Sequence, residues 1–467
     1  MPRFEVHSHT CYSNLRLLDS TNKPENLIDR AIELGLSGIA ITDHEALCSH
    51  IKCNQYQKII AKKYPDFKIA LGNEIYLIDS REEIEKYFHF ILIAKNSIGY
   101  TIIKELSSIA WLNMFVSRGM ERVPTLKSDL INLLDKYGRG HLIATSACLG
   151  GELSTLAKSL CEAEEPNQAI QYKTKINEFI NFCKYCFGDD FYIECAPGCS
   201  EDQIMVNKRL AAIAKFYKVK MVIGTDAHFL SKEDRYVHKA YLNSQGGERE
   251  VDAFYEFSYL QNEEELYLNL TNSFDKNFID DLIANSEEIY LKIQRFSLEN
   301  KQRIPKVAVK NYEKTMSYFG VNNDIADLSL PTLRQLLISD EIQERYWVNE
   351  CLTALIQKGL FNDEYLLRLE TEADIIKHIG GQLEDCLFAY FNTFKHYIDL
   401  FWDCDSIVGP GRGSATGFLS NYLLGITQLD PIRWGLPEWR FLNKERAELP
   451  SLLLILGSCK KRVLTIA

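Results

Sequence analysis

Residues 4–44 read FEVHSHTCYSNLRLLDSTNKPENLIDRAIELGLSGIAITDH, and the fold turns on this stretch. FEVH is a short run of strand-forming residues. Pro24 can open a helix, where its missing N–H is not needed, and Gly35 can close it. GIAIT then returns to strand character, which makes a βαβ unit. Working outward, similar runs recur at KIALGNE (68–74), FHFILIAK (88–95), HLIATSAC (141–148), DFYIEC (190–195) and KMVIGTD (220–226). Seven candidate strands alternating with helices predict a parallel sheet, and so many in one domain predict a closed (β/α) barrel.

The texture changes after about residue 290. At ~150 residues per domain, 467 residues suggest about three domains, or one large barrel with a smaller partner. The expected division is a barrel over 1–290, a polar, proline-containing linker over 291–310, and a second part over 311–467. Long helical periodicities dominate that second part, followed by a strand (DSIV), a glycine-rich turn and a helix. With 46% hydrophobic and 25% charged residues, the composition excludes a collagenous or disordered chain. No apolar run approaches the ~18 residues of a membrane span and the first residues do not resemble a signal peptide, so no membrane partner and a cytoplasmic location are expected. The net charge of −11 gives no general basic footprint, and any contact with DNA must be local. Thirteen cysteines then fit a reducing compartment. Cys183 and Cys186 have CxxC spacing, but they lie in an amphipathic helical run with no second CxxC, which reads as structural.

Residues that can ligate metals fall at the expected strand ends. His7 and His9 follow the first strand, Asp43 and His44 the second, and Glu74 the third. His89 opens the fourth, Cys148 follows the fifth, and Asp226 and His228 follow the last. Barrel enzymes build their sites on the carboxyl edge of the strands. Spacing of i and i+2 points each of the pairs His7/His9 and Asp226/His228 to one side of its strand. One such histidine alone is most simply a hydrogen-bonded structural residue, but five of the ten at these edges, with carboxylates and a thiol, indicate a metal cluster. Mixed imidazole, carboxylate and thiolate ligation suits Zn²⁺, Mn²⁺ or Fe²⁺ over Mg²⁺ or Ca²⁺, and the number of ligands predicts two or three ions. Paired metals favour hydrolysis of a phosphoester.

HSHTCYSN, AITDHE, GNEIY, FHFILIAKNSIGY, LIATSACLGGE and GTDAHFL resemble, in order, the motifs of the PHP (polymerase and histidinol phosphatase) domain, and more narrowly the PHP domain that begins bacterial DNA polymerase III alpha subunits. The resemblance implies a PHP-type barrel with a trinuclear metal centre whose ligands are His7, His9, His44, Glu74, His89, Cys148, Asp226 and His228, with Asp226, His228, His44 and Glu74 as catalytic residues. The family carries a further Asp shortly after the HxH pair; Arg16 stands at that spacing here, so the role of Asp19, three residues on, stays open. The near-complete ligand set implies an active metal-dependent phosphoesterase or 3′–5′ exonuclease.

Residues 409–417 read GPGRGSATG. Glycines let backbone approach a ligand, a following helix offers free N–H groups to an anion, and Arg412 can add a bidentate phosphate contact. No GK[ST] follows, so this is not a P-loop. GPGRGS, LGITQLDPIRWGL and RFLNKER resemble the palm entrance of the same alpha subunits. This implies an incomplete polymerase palm in which Gly411, Arg412, Gly413 and Ser414 bind a nucleotide triphosphate. After RFLN and a proline that family carries alternating carboxylates for the polymerase Mg²⁺ ions; Ser451, Leu453 and Ile455 stand here, and none is a Mg²⁺ ligand. Residues 409–467 hold eight Lys or Arg against four Asp or Glu, so local phosphate contact is expected at this end. The resemblance thus implies a nucleotidyltransferase family, a DNA 3′ end as substrate, and the remaining polymerase polypeptide and replisome subunits as partners. Polymerisation by this chain alone is not expected. The alternatives are a non-catalytic remnant or split-polymerase half that acts as a binding module, and a free-standing PHP phosphatase.

Overall fold

A computed structural model of the chain describes residues 3–15, 18–82, 86–117, 120–244, 255–299, 303–319 and 328–445. The chain forms two compact units, Met1–Asn300 and Lys301–Ala467. The boundary divides the segment expected as a linker. Ile293 is buried in the core of the first unit and Ile304 in that of the second, so apolar side chains anchor each half to its own unit.

The first unit is an α/β barrel. Its strands are β1 (Phe4–Glu5), β2 (Gly38–Ile41), β3 (Lys68–Ile78), β4 (Phe88–Ala94), β5 (Phe115–Ser117), β6 (Met120–Arg122), β7 (Thr125–Leu126), β8 (Leu142–Thr145), β9 (Phe191–Cys195) and β10 (Met221–Ile223). The main sheet runs β1-β2-β3-β4-β8-β9-β10, with β7 added to β3 and β5-β6 forming a separate hairpin. All seven expected strands form. The helix expected after Pro24 forms over Pro24–Glu33 and ends at Gly35, whose φ of +73° is left-handed. Alternate residues face opposite sides. Ala40 joins the barrel interior with Phe4, Val6, Ala70 and Val222, while Ile39 and Ile41 pack on Leu27 and Ile28 of that helix. Both faces are covered, as a mainly parallel sheet requires.

The sheet departs from the all-parallel expectation at β4, which pairs antiparallel with both β3 and β8. The reason is the connection. Residues 79–87 are too few for the crossover that parallel strands need, so β3 and β4 form a hairpin. Its lower half completes the barrel: Gly38–Ile41 of β2 pair only with Lys68–Leu71 of β3. Beyond Glu74, which bridges to His44, and Ile91, which pairs with Thr145 of β8, the paired strands continue as an arm, to Leu77 opposite Phe88.

Closure between β1 and β10 is slight. Its backbone part is one bridge between Ser8 and Ala227, with His9 N donating to Ala227 O and Ala227 N to His7 O. Ser20 Oγ and Asn22 Nδ2 stitch across it, both donating to His9 O and, respectively, to His228 O and Ala227 O. Below it the Glu5 carboxylate does the work of a ladder, accepting hydrogen bonds from His7 N and Thr225 N.

The second unit is helical, with helices Pro331–Leu337, Ile342–Gln357, Asp363–Leu383, Phe388–Asp403 and Leu419–Leu423. Trp347 is fully buried against Phe388 at its centre. Of DSIV, expected as a strand, Val408 makes an isolated β-bridge, and the stretch forms no ladder among the described residues. Ser451, Leu453 and Ile455 lie outside the described residues. Among the described residues, no helix is long and apolar enough to cross a membrane.

Candidate metal centre

The carboxyl edge of the barrel gathers the ligand-type side chains into one buried cluster. His7 and His9 leave β1, His44 follows β2 and bridges to Glu74 on β3, and Asp226 and His228 follow β10. His89 sits at the start of its strand, yet it reaches the same edge because β4 runs antiparallel. Three groups have ligand atoms all within 4.8 Å of one another: His9, His44 and His228; His7, His9, Glu74 and Asp226; and His44, Glu74 and His89. His9, His44 and Glu74 each belong to two groups, so the groups form one continuous cluster. Cys148 stands beside it, with Sγ 3.7 Å from His89 Nδ1, outside the three groups.

Ring nitrogens and carboxylate oxygens crowd together here. Nε2 of His7 and His9 lie 3.2 and 3.1 Å from Asp226 Oδ1, and 3.3 and 3.0 Å from Glu74 Oε2. Buried Asp226 Oδ1 nevertheless receives no hydrogen bond. A buried acceptor without a donor, ringed by ring nitrogens, fits a bound cation. The turns that aim these groups hold left-handed backbone at non-glycine residues: Asp226 at φ +48°, Glu45 beside His44 at +49° and Ala147 beside Cys148 at +58°.

Electrostatics set the ionisation of the cluster. Burial disfavours charge on Asp19 and Glu74, but imidazoles overcome it, His228 and His44 for Asp19 and His89, His44 and His7 for Glu74. Both carboxyls are held well below their usual range. At His7, burial is outweighed by Glu194, Asp226 and Glu74, and the pKa rises well above the usual imidazole value. His9 moves the other way, since burial and the neighbouring His44 and His228 all favour its neutral, ligating form. Burial, with Asp226 and Glu74, pushes the Cys148 thiol up. Protons and a cation would therefore compete for this site.

Two further side chains join the cluster, one whose role the sequence leaves open and one it does not single out. Asp19 points Oδ2 at His44 Nε2 (2.7 Å) and His228 Nε2 (3.2 Å), while Tyr255 and His238 fix its other oxygen and its carbonyl. Glu194 on β9 accepts from His7 Nδ1 at 2.6 Å and from Thr145, which orients the ring toward the cluster. An acid within the apolar strand FYIEC was the signal for it. Gly224 makes room for it, since a Cβ there would collide with the Glu194 carboxylate.

The glycine loop of the second unit is built differently. Gly411 and Gly413 have φ of +129° and +66°, and Arg412 is exposed on a short 3₁₀ turn, Gly413–Gly417. The helix after it has five residues, and its first N–H groups are not free. Leu419 N and Ser420 N donate to the fully buried carboxylate of Glu372, at 2.6 and 2.8 Å. This corrects the expectation of an open anion site at that helix end. Arg368 completes the clamp, donating to Glu372, Gly417 O and Leu436 O.

Comparison with known proteins follows this division. Residues 5–197 match the PHP domain, and residues 333–453 match the Bacterial DNA polymerase III alpha NTPase domain. The "Probable DNA polymerase YorL" of Bacillus subtilis (strain 168) and the "DNA-directed DNA polymerase" of Bacillus phage SPbeta are each 39% identical to the chain over 474 residues, covering 96% of this chain and 36% of the relative. The DNA polymerase III subunit alpha of Aquifex aeolicus (strain VF5) is 30% identical over 464 residues, covering 96% of this chain and 35% of its own length. Over nearly its whole length the chain is similar to these polymerases, with a PHP-domain match followed by a polymerase III alpha match. It spans about a third of the length of these polymerases. The PHP match ends at residue 197, so Asp226 and His228, which complete the cluster, lie beyond it.

Proposed function

We propose that the first unit is a metal-dependent phosphodiester hydrolase acting at a DNA 3′ end. The observation that carries this reading is the continuous cluster in which His9, His44 and Glu74 are each shared between groups. His7, His9, His44, Glu74, His89, Asp226 and His228 would hold two or three Zn²⁺ or Mn²⁺ ions, with Cys148 at the rim and Asp19 completing the side formed by His44 and His228. Such ions supply hydroxide at neutral pH and neutralise phosphoryl oxygens. The protein's own part is to present acceptor-only carboxylates, to hold His9 neutral, and to fix His7 through Glu194. Elemental analysis of purified protein should find more than one equivalent of transition metal. With Mn²⁺ or Zn²⁺ the chain should shorten single-stranded DNA from its 3′ end, and an Asp226→Asn variant should not. Cleavage confined to small phosphomonoesters would replace this reading with a free-standing phosphatase.

Gly411, Arg412, Gly413 and Ser414 are proposed to bind a nucleotide triphosphate weakly, through the loop's own backbone and the guanidinium rather than the capped helix end. Arg412→Ala should weaken that binding a few-fold, and primer extension with dNTPs and Mg²⁺ should yield no product from this chain alone. A second reading, a module that binds the rest of a polymerase and other replisome subunits, is favoured by the exposed indoles of Trp434 (63%) and Trp439 (61%) in the second unit. Sedimentation with a polypeptide carrying the remaining polymerase sequence tests it.

A further inference from the structure

The arm formed by β3 and β4 carries a row of rings away from the metal cluster. Glu74 and Tyr76 are i and i+2 on β3 and share a face. His89 pairs directly opposite Tyr76, and Tyr87 lies two residues before His89, so all four side chains emerge on the same side of the hairpin. The rings touch in order. Tyr76 stacks on His89 with centroids 4.9 Å apart, and Tyr87 lies 6.5 Å from Tyr76, tilted by 49°. At the outer end the guanidinium of Arg122, from the β5-β6 hairpin, lies 4.9 Å over the Tyr87 ring. Tyr76, Tyr87 and Arg122 are each half-buried, with part of their surface open to solvent.

We propose that this row is a binding track for single-stranded DNA, feeding its 3′ end to the metal cluster. The inference rests on the hydrolase reading and supplies its substrate specificity. Aromatic faces interleaved with a cation bind single strands with little regard to sequence, because every base offers a π-face. Tyr76 takes the base nearest the cluster, Tyr87 the next one outward, and Arg122 a phosphate or base beyond. The tilt makes the two tyrosines successive platforms. A duplex end cannot use them without unstacking. On a chain of net charge −11 such contact must be local, and this row is local and continuous with the site.

Fluorescence anisotropy of 5′-labelled oligo(dT) of two to eight nucleotides, with phosphorothioate 3′ linkages to block cleavage, tests the track on the full chain loaded with Mn²⁺. Affinity should rise over the first three or four nucleotides and then level off. Tyr87→Ala and Arg122→Ala should each weaken the binding of the longer oligonucleotides, by roughly tenfold for the tyrosine, and Tyr87→Trp should restore it. Wild-type length dependence in both alanine variants, equally weak binding by Tyr87→Ala and Tyr87→Trp, or tighter binding of blunt duplex or oligo(U) would overturn the proposal. Binding is read without turnover, so failure of the hydrolase reading would appear separately, as wild-type protein that binds oligo(dT) in this manner but cleaves neither unmodified DNA nor bis(4-nitrophenyl) phosphate.

Discussion

The metal cluster of the first unit and the glycine loop of the second both look like sites in the sequence, yet their polar groups are partnered in opposite ways. At the barrel edge, buried carboxylates converge among imidazoles, and Asp226 Oδ1 and Glu74 Oε1 still receive no hydrogen bond. At the loop, the attractive donors are already bound to Glu372 and the glycines serve a tight turn. Motif residues show which chemistry is available; the account of partners shows whether a ligand still has something to satisfy.

The largest expected effect tests the cluster directly. Replacing His7 and His9 together with alanine should strip most of the bound metal and abolish hydrolysis, as read by elemental analysis and by DNA cleavage. Retained metal would mean that the cluster is a hydrogen-bonded core and not a ligand set, which would break the contrast with the loop.

Next comes the clamp in the second unit. Glu372→Ala removes a buried acceptor from two N–H groups and from Arg368, and should cost about 3–5 kcal/mol. Denaturation should show the loss in the second unit alone, with the metal content of the barrel unchanged. Burial raises Glu372 to about 6 against the pull of its donors, the mark of a structural acid and not an anion receptor.

A pH effect of similar size belongs to the barrel. His50 is fully buried, and burial lowers its pKa to about 4. The folded state holds it neutral, so its contribution is complete above about pH 6.5 and lost as pH falls toward 4, about 3 kcal/mol in all. Urea denaturation between pH 7 and 4 should show this slope, and a His50→Leu variant should flatten it.

The smallest effect sharpens the comparison. Gly224→Ala forces Glu194 from its place behind His7 and should weaken metal affinity about 10- to 100-fold, the usual weight of such supporting groups. A zinc-binding titration reads it.

Much of this was legible in the sequence, because strand periodicity and the placing of ligand residues at strand ends are local signals. The reversal of β4 was not, since it depends on the length of the loop before it, and that length was not weighed against the β-branched run. The role of Asp19 stays open in the sequence for a related reason: a loop can bring a carboxylate to the site from three residues further along, and spacing alone does not see it. Glu372 lies 47 residues from the N–H group it caps, a contact that only the folded helices create.

The slender closure of the barrel gives the cluster a mechanical meaning. His7 and His9 lie on one side of the β1-β10 seam, Asp226 and His228 on the other, and the strands are joined there by one bridge, the Glu5 carboxylate and the side chains of Ser20 and Asn22. A cation shared between the two sides is a clasp. Its binding free energy would help hold the barrel shut, so loading the centre and suppressing the opening of the seam would be one thermodynamic event.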